Sequence, residues 1–267
     1  MNTADEMGLT PEAARAYESY FLPAIFSQWP PIMAGIADVT NGKDVLDVGC
    51  GTGVFTREAL NIVGAAGTVT GADLSESMLS VAREICPTGR FERCDVINLP
   101  FADASFDAVV ASFILMFVSE PARGVSEMIR VLRPGGRMAL SVWEALAENV
   151  VYSRLVEIVS EVVDKQAGEL IAWPFALGSE GKLAQVFDQS GVTVTSIAVH
   201  AGRAKFPSIA SFVRTEIGAW LLADAVDESM MTAIISRAED AFGEFQNSSG
   251  TMDFPFNATI AMYAKPA

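Results

Sequence analysis

Short runs of β-branched and other apolar residues alternate with helical patterns between Lys43 and Val142. A run such as Val45-Leu46-Asp47-Val48 is too short for an amphipathic helix and is typical of a strand that is buried on both faces. The alternation predicts five strands, at residues 45–48, 68–73, 90–94, 106–111 and 137–142. Because helical patterns join these strands, the connections should be right-handed crossovers and the strands should run parallel.

The flanking segments are less regular. Thr10-Pro11-Glu12 has the composition of a helix start, and we expect that helix to end near Phe21. A second apolar segment, Ile25 to Val39, is broken by Pro30-Pro31. The pattern after the fifth strand predicts helices near 148–164, 180–190, 208–222 and 227–246, and strands near 192–200 and 254–264.

These elements predict an α/β protein with a Rossmann-like, doubly wound sheet, mostly parallel with an antiparallel final strand, plus a helical lid insertion. No repeat or linker divides the chain, so the last third should extend the same domain. Residues 1–42 are expected to form an N-terminal helical cap. We assign residues 43–200 and 251–267 to the core, and residues 201–250 to the insertion that forms the lid.

The charge of the chain narrows the classes of partner. Its 267 residues include 18 Lys and Arg against 33 Asp and Glu, a formal net charge of −15. Such a chain repels a phosphate backbone, and we find no basic patch, so we expect no nucleic-acid partner. No apolar run is long enough to span a bilayer, and the start of the chain lacks the features of a signal peptide. We therefore expect a cytoplasmic protein without membrane insertion.

Cysteine and histidine are too few for several kinds of chemistry. Cys50, Cys86 and Cys94 are an odd number without a CxxC spacing, which argues against a disulfide framework or a thiolate zinc site. His200 is the one histidine, so a histidine metal site and Ser-His-Asp catalysis are both disfavoured. We predict no metal site.

A glycine-rich loop follows the first strand, in the segment Asp47-Val48-Gly49-Cys50-Gly51-Thr52-Gly53. In doubly wound sheets, ligands bind at the carboxyl ends of the strands, where glycine lets the backbone approach them. The dinucleotide motif G-x-G-x-x-G requires glycine where Val54 stands. A carboxylate at Asp47 would also repel a pyrophosphate, and it suits a ligand that carries a cation.

Two further aspartates follow the second and third strands. Asp73 can accept hydrogen bonds from both hydroxyl groups of a ribose, and Asp95 can accept one from the exocyclic amine of adenine. Leu74 and Met78 could enclose the adenine ring. A nucleoside with a cationic head describes S-adenosylmethionine better than NAD.

The stretch from Val45 to Trp143 resembles the class I S-adenosylmethionine-dependent methyltransferases, specifically their small-molecule (methyltransferase type 11-like) group. The resemblance rests on several motifs in the family's order: the glycine loop, Gly71-Ala72-Asp73-Leu74-Ser75-Glu76-Ser77-Met78-Leu79, Asp95 with Leu99-Pro100-Phe101, Phe106-Asp107-Ala108-Val109-Val110, and Val131-Leu132-Arg133-Pro134-Gly135-Gly136.

This resemblance implies S-adenosylmethionine as cofactor, S-adenosylhomocysteine as product, and a set of cofactor-binding residues. The set is Asp47, Gly49, Gly51 and Thr52 near the methionine portion, Asp73 at the ribose, Leu74 and Met78 beside adenine, Asp95 and Val96 at its edge, Ser112 through its carbonyl, and Tyr17 and Phe21 closing from the N-terminal helix. The resemblance identifies no catalytic base.

The expected reaction is in-line methyl transfer to a small organic acceptor, for which the enzyme chiefly aligns the reactants and excludes water. The apolar segment from Phe206 to Phe256 predicts a lid over a fairly hydrophobic acceptor. The Asn/Asp-Pro-Pro-Tyr/Phe motif of amide and adenine N-methyltransferases is absent, and so are a catechol-type metal cluster and the flanking sequences characteristic of ubiquinone/menaquinone C-methyltransferases. A catalytically silent cofactor-binding subunit and, less favoured, an NAD-dependent oxidoreductase remain as alternatives.

Overall fold

The computed structural model describes residues 10–179, 181–218, 222 and 225–267. Within these ranges the strands are β1 (Asp44–Val48), β2 (Thr68–Asp73), β3 (Arg90–Arg93), β4 (Phe106–Ser112), β5 (Leu132–Trp143), β6 (Ser196–His200), β7 (Arg203–Phe206), β8 (Met252–Pro255) and β9 (Ala258–Ala264). The α-helices are α1 (Pro11–Ala16), α2 (Trp29–Ile36), α3 (Val54–Val63), α4 (Glu76–Ile85), α5 (Pro121–Val131), α6 (Val150–Val162), α7 (Lys165–Ala172), α8 (Lys182–Gln189), α9 (Ile209–Gly218) and α10 (Glu228–Phe242).

A seven-stranded sheet in the order β3-β2-β1-β4-β5-β9-β6 organises the molecule, and helices flank it. Strands β1 to β5 pair in parallel. Strand β9 runs antiparallel to both β5 and β6, between which it lies. The prediction of a Rossmann-like, mostly parallel sheet with an antiparallel final strand is therefore confirmed.

The central strands are buried on both faces, which explains their nearly continuous apolar sequence. In β4, the four residues from Ala108 to Ala111 are all 0% exposed. Helix α2 packs on β4, β5 and α3, whereas α5 packs on β5 and α8. Each large apolar side chain buried in this way contributes about 1.5–3 kcal/mol, so the sheet gives a rigid edge on which a site can be built.

The N-terminal helix continues past the predicted end near Phe21. After α1 the chain continues as a π-helical segment, Tyr17–Phe26, which includes Pro23. Burial of Phe21 and Ile25 holds this segment against the core and offsets the hydrogen bond that the proline cannot donate. Pro30 and Pro31 lie in the first turn of α2, where proline is tolerated, so they begin a helix instead of breaking one.

The insertion enters and leaves the core through a small sheet that the pattern does not predict. Strands β7 and β8 pair antiparallel, and the strand predicted near 254–264 is in fact two strands, β8 and β9. In the turn between β8 and β9, the Phe256 N–H donates a hydrogen bond to the Gly202 carbonyl, which lies just before β7 (2.9 Å). The insertion consequently begins and ends at neighbouring points.

Helix α6, which precedes the insertion in sequence, packs against it and also carries α7. Helix α10 contacts α9 and α6, and α6 packs on α7, a helix that the pattern does not predict. The last turn of the helix predicted at 208–222 lies mostly outside the described residues. Across the part of the chain that the structure describes, no helix combines the length and the apolar character that crossing a membrane requires.

Candidate active site

The glycine loop makes a tight turn between β1 and α3. Gly49, Gly51 and Gly53 have φ values of +65°, +53° and +82°, a conformation that residues with a side chain rarely adopt. A Cβ atom at Gly49 would also lie 2.4 Å from Cγ1 of Ile114. Backbone conformation and close approach therefore both require glycine at position 49.

Asp73 holds the loop to the end of β2. Its Oδ2 accepts a hydrogen bond from the N–H of Gly51 (2.8 Å), and its Oδ1 accepts one from the N–H of Ser75 (2.9 Å). Burial raises the pKa of this carboxyl above its usual value, and these backbone donors partly oppose that shift. Each carboxylate oxygen can still accept from a ligand hydroxyl.

Asp47 and Thr52 are buried beside the loop and line neither of the two cavities described below. Asp47 is 1% exposed and accepts a hydrogen bond from the Thr56 hydroxyl (2.6 Å). Burial raises the pKa of Asp47 to about 7. Thr52 donates its hydroxyl proton to Glu18 of the π-helical segment (2.5 Å).

Two adjoining cavities occupy the carboxyl edge of the sheet and share Gly49, Asp73, Ile114 and Phe117. The first has a volume of about 170 Å³, and the predicted residues that line it are Tyr17, Phe21, Gly49, Gly51, Asp73, Met78 and Ser112. The second is smaller, about 60 Å³, and brings together Gly49, Asp73, Leu74, Asp95 and Val96. The cavities therefore contain ten of the predicted site residues, but not Asp47 or Thr52.

Four aromatic rings stack along one wall of the first cavity, and we call them the aromatic stack: Phe113, Trp143, Phe256 and Tyr152. Ring centroids are 3.9 Å apart for Phe113 and Trp143, 4.1 Å for Trp143 and Phe256, and 4.8 Å for Phe256 and Tyr152. The interplanar angles are 22°, 28° and 21°. The stack runs from the end of β4 to α6, so it connects the core to the helices that pack with the insertion.

Phe113, at one end of the stack, has an unusual backbone conformation. Its φ is +56°, which is uncommon for a bulky residue and costs free energy. Its N–H donates to the Ser141 carbonyl (3.0 Å), which holds the residue in place directly after β4. The strained residue lies beside Ser112 and Ile114, in the wall of the cavity.

A buried acid and a buried phenol meet in the lining of the first cavity. Glu216 of α9 is 7% exposed, and the Tyr152 hydroxyl donates to its Oε1 (2.7 Å). Burial raises the pKa of Glu216 to about 7, and the hydrogen bond from Tyr152 acts in the opposite direction. Neither residue is among the site residues predicted from the sequence. Glu216 lies three and four positions after Val213 and Phe212, on the apolar face of its helix, and an acid in that position is a signal of a special role.

Glu18 connects the N-terminal segment to the glycine loop. Besides accepting the Thr52 hydroxyl proton, its carboxylate accepts from Nη2 of Arg57 (2.9 Å). Arg57 in turn donates to the Thr52 carbonyl (3.0 Å). These contacts hold the π-helical segment, with Tyr17 and Phe21, over the first cavity.

Asp107 and His200 have surroundings that fit structural positions. Asp107, near the start of β4, accepts from the Asp44 N–H (2.9 Å) and from Arg133 (2.7 Å), so its carboxylate joins the starts of β1 and β4 to Arg133. His200 ends β6 opposite Ala258. Within the described ranges, no group of three or more His, Cys, Asp or Glu side chains could hold a metal ion.

The fold and the site define an α/β enzyme class with a nucleoside site at the carboxyl edge of its sheet. The described lining of the first cavity includes the acids Asp73 and Glu216 but no Lys, Arg or His. This charge fits a cofactor with a cationic sulfonium, and the loop glycines leave room for its backbone contacts.

Comparison with known proteins identifies the family. A methyltransferase domain family matches residues 46–140. A demethylmenaquinone methyltransferase from Paenarthrobacter aurescens is 33% identical over 180 residues, which cover 62% of this chain and 68% of that protein. The ubiquinone/menaquinone biosynthesis C-methyltransferase UbiE from Saccharophagus degradans is 31% identical over 150 residues, which cover 54% of this chain and 60% of that protein.

The fold agrees with a solved structure of a related kind. Phosphoethanolamine N-methyltransferase 2 from Haemonchus contortus, solved with S-adenosylhomocysteine and phosphomonomethylethanolamine, superposes with a TM-score of 0.62 at 20% identity. The match covers 98% of this chain and 59% of that one. The chain belongs to the class I S-adenosylmethionine-dependent methyltransferases. Its cofactor is S-adenosylmethionine, and the alternatives of an NAD-dependent oxidoreductase and of a catalytically silent subunit are set aside.

Proposed function

We propose that the protein methylates a small, largely apolar acceptor with a flat ring, which binds in the first cavity. The observation that carries this proposal is the aromatic stack, which lies in the same cavity as Gly49, Gly51 and Asp73. Flat rings pack well against stacked aromatic side chains. The names of the relatives, which are demethylmenaquinone and ubiquinone/menaquinone methyltransferases, support an acceptor of quinone type.

The proposal assigns the cofactor to both cavities, with Asp73 at their junction accepting the ribose hydroxyl groups. Nine of the other predicted residues keep their predicted roles: Leu74 and Met78 beside adenine, Asp95 and Val96 at its edge, Ser112 through its carbonyl, Gly49 and Gly51 through their backbone, and Tyr17 and Phe21 as closing residues. For Asp47 and Thr52, which the resemblance places near the methionine portion but which line neither cavity, we propose support of the glycine loop instead. The lining of the two cavities supports ten of these twelve assignments.

The proposed lid covers the acceptor. We retain residues 1–42 as the N-terminal cap and residues 201–250 as the insertion, and we add α6, which packs on α10 of the insertion, and α7, which packs on α6, to the lid. Contributions to the cavity from Tyr152 in α6, Ile171 in α7 and Glu216 in α9 support this division. A closed lid excludes water from the reacting groups.

S-adenosylmethionine supplies an activated methyl carbon, so the main role of the protein's own residues is to align the acceptor with that carbon. The aromatic stack holds the acceptor ring, while the glycine loop and Asp73 position the donor in line with it. Such alignment lowers the barrier by several kcal/mol when the reacting atoms are about 3–3.5 Å apart.

Calorimetric titration with S-adenosylhomocysteine tests the cofactor site. We expect micromolar binding by the wild type and a loss of about 10- to 100-fold in Asp73→Ala, because charge-assisted hydrogen bonds are removed. Asp188→Ala, on the exposed side of α8, is the matched control and should bind normally. Equal affinity in Asp73→Ala would contradict the assignment of Asp73.

Transfer of labelled methyl groups tests the acceptor class. We expect labelling of 1,4-dihydroxynaphthalene and no labelling of glycine or ethanolamine, since the latter two cannot use the aromatic stack. Labelling of the small amines alone would overturn the proposed acceptor.

A further inference from the structure

Glu216 is placed where a purely structural residue would not be expected. Its side chain lines the first cavity, and Tyr152 is its one hydrogen-bond partner among the described residues. Oε2 is thus left for a ligand. Burying a carboxylate with a single partner destabilises a fold, and an apolar residue of similar size would pack there at lower cost.

The basic side chains nearby do not neutralise this acid. Those on α9 and β7 pair with carboxylates of α10 and β8 instead: Arg214 with Glu228, and Arg203 and Lys205 with Asp253. From α6, the titratable group that faces Glu216 is Tyr152. The pair is therefore an acid and a phenol in an otherwise apolar end of the cavity.

We propose that Glu216, oriented by Tyr152, binds the hydroxyl group of an aromatic acceptor and takes the hydroxyl proton as the methyl group is transferred. This inference rests on the proposed function, and it adds the position of the base and the polar group of the acceptor. Glu216 is a catalytic residue in this proposal because its carboxylate contacts the acceptor. Tyr152 is a positioning residue, which orients the carboxylate through its own hydroxyl proton.

The surroundings of the pair favour a hydroxyl over other polar groups. A carboxylate or phosphate on the acceptor would be repelled by Asp73 and Glu216, and no basic side chain in the described lining would compensate. An ammonium group would have to lose a proton before it could attack the methyl carbon. A neutral hydroxyl on a ring keeps the ring against the aromatic stack and presents a proton to Oε2.

In the proposed step, the O–H bond of the acceptor breaks and its proton passes to the Glu216 carboxylate, while the electron pair stays with the acceptor. The acceptor oxygen, or a ring carbon conjugated with it, forms a bond to the methyl carbon, and the S–CH3 bond breaks with its electron pair on sulfur. If carbon is methylated, the ring hydrogen at that carbon leaves as a proton, its electron pair restores the aromatic ring, and the oxygen takes a proton from solvent. Glu216 returns its proton to solvent when the products leave.

Binding of matched ring compounds tests recognition by the pair. In the presence of S-adenosylhomocysteine, calorimetry should show that the wild type binds 2-naphthol at least tenfold more tightly than naphthalene. Glu216→Gln should lose this preference and keep its affinity for S-adenosylhomocysteine, which also shows that the variant is folded. Glu239→Gln, at an exposed position of α10, is the control and should behave as the wild type does.

Turnover and its pH dependence test the proton transfer. With 2-naphthol and 1,4-dihydroxynaphthalene as acceptors, Glu216→Gln should lower kcat by about 100-fold or more, which is typical for loss of a general base. The wild-type kcat/KM should rise with pH through an inflection near 7, since Glu216 must be ionised. Tyr152→Phe should move this inflection to higher pH, because the hydrogen bond that favours the ionised acid is lost. A merely structural role for Tyr152 would not move it.

The outcomes separate this inference from the proposed function. If Glu216→Gln keeps full turnover and the naphthol preference, the role of the pair is overturned while the proposed function stands. If the wild type binds neither ring compound, both are overturned. Comparison of 2-naphthol with 2-aminonaphthalene provides a further arm, and methylation of the amine alone would overturn the hydroxyl assignment. Mass and NMR analysis of the product distinguishes oxygen from carbon as the methylated atom.

Discussion

Two buried carboxylates, Asp47 and Glu216, have their pKa values raised to about 7 by the same cause, which is removal from water. Their surroundings nevertheless differ. Asp47 lies beside the glycine loop with Thr56 as donor, whereas Glu216 lines a cavity. The raised pKa alone therefore does not mark a base, and access to the cavity distinguishes the two acids.

The pH dependence of stability should reveal Asp47. Its folded-state pKa is raised, so between about pH 4 and 7 the folded protein holds a proton that the unfolded chain releases, and stability falls as pH rises through this window. Asp47→Asn removes this contribution. Without cofactor, its free energy of unfolding in urea should exceed that of the wild type by about 1–3 kcal/mol at pH 8, with a smaller difference at pH 5.

The control for this prediction is Asp38→Asn. Asp38 pairs with Lys43 at the surface and its pKa is lowered, so its replacement should give no gain at pH 8. An Asp47→Asn variant whose stability follows that of the wild type at both pH values would contradict the predicted effect of burial.

Gly49 should tolerate alanine less well than a glycine of similar φ in open space. Gly135 has φ +77° and no atom within 4 Å of the position that a Cβ would occupy, so Gly135→Ala tests backbone strain alone, at about 1–2 kcal/mol. Gly49→Ala adds the collision with Ile114, and it should lower both the melting temperature and the affinity for S-adenosylhomocysteine further. In the double variant Gly49→Ala/Ile114→Ala, the melting temperature should rise toward that of Gly135→Ala. An unchanged melting temperature would show that Ile114 is not the side chain that obstructs a Cβ at position 49.

At the scale of elements, the N-terminal segment depends on a partly buried ion pair. The side chains of Glu18 and Arg57 are 22% and 25% exposed, whereas those of Glu84 and Arg15, which join α4 to α1, are 64% and 55% exposed. Exposed pairs contribute little to stability, so the first pair should matter more for docking of the segment.

Glu18→Gln should therefore loosen the segment over the cavity. We expect faster hydrogen exchange in residues 11–26 and a roughly threefold to tenfold weaker affinity for S-adenosylhomocysteine, because Tyr17 and Phe21 are held less firmly. Glu84→Gln is the matched control and should change neither quantity. Equal effects of the two variants would show that the contact with Thr52 and Arg57 does not hold the segment.

The sequence predicts elements best where periodicity and burial agree. The five parallel strands overlap their predicted positions, although β5 begins at Leu132, five residues earlier than predicted. Strands such as β1 and β4 are predicted well because they are mostly apolar and buried in the middle of the sheet, whereas β3 is an exposed edge strand. The π-helical segment is missed because a proline at position 23 normally ends a helix, and here burial on the core outweighs that preference. Strand β7 is only four residues long, and its partner β8 lies beyond the insertion, so no local pattern predicts the pair.

At the scale of the whole molecule, the two halves of the candidate site differ in how well the sequence predicts them. The proposed cofactor side consists mainly of motifs that follow strands, together with Tyr17 and Phe21 of the N-terminal segment, and ten of its twelve predicted residues line the cavities. The acceptor side is assembled by tertiary packing. Tyr152 and Glu216 are 64 positions apart and meet only because α6 and the insertion pack together, which no spacing in the sequence indicates.

The place of β9 in the sheet also has a consequence for biosynthesis. β9 lies between β5 and β6, yet the ribosome makes it after both strands and after the whole insertion. Until then, the edge of β5 is unpaired and β6 has no neighbour in the main sheet, with Ile197 and Val199 on it still exposed even in the finished fold. A nascent chain at this stage presents an open apolar edge of the kind that aggregates or binds chaperones. Correct folding therefore depends on how soon β9 is synthesised and pairs with β5 and β6.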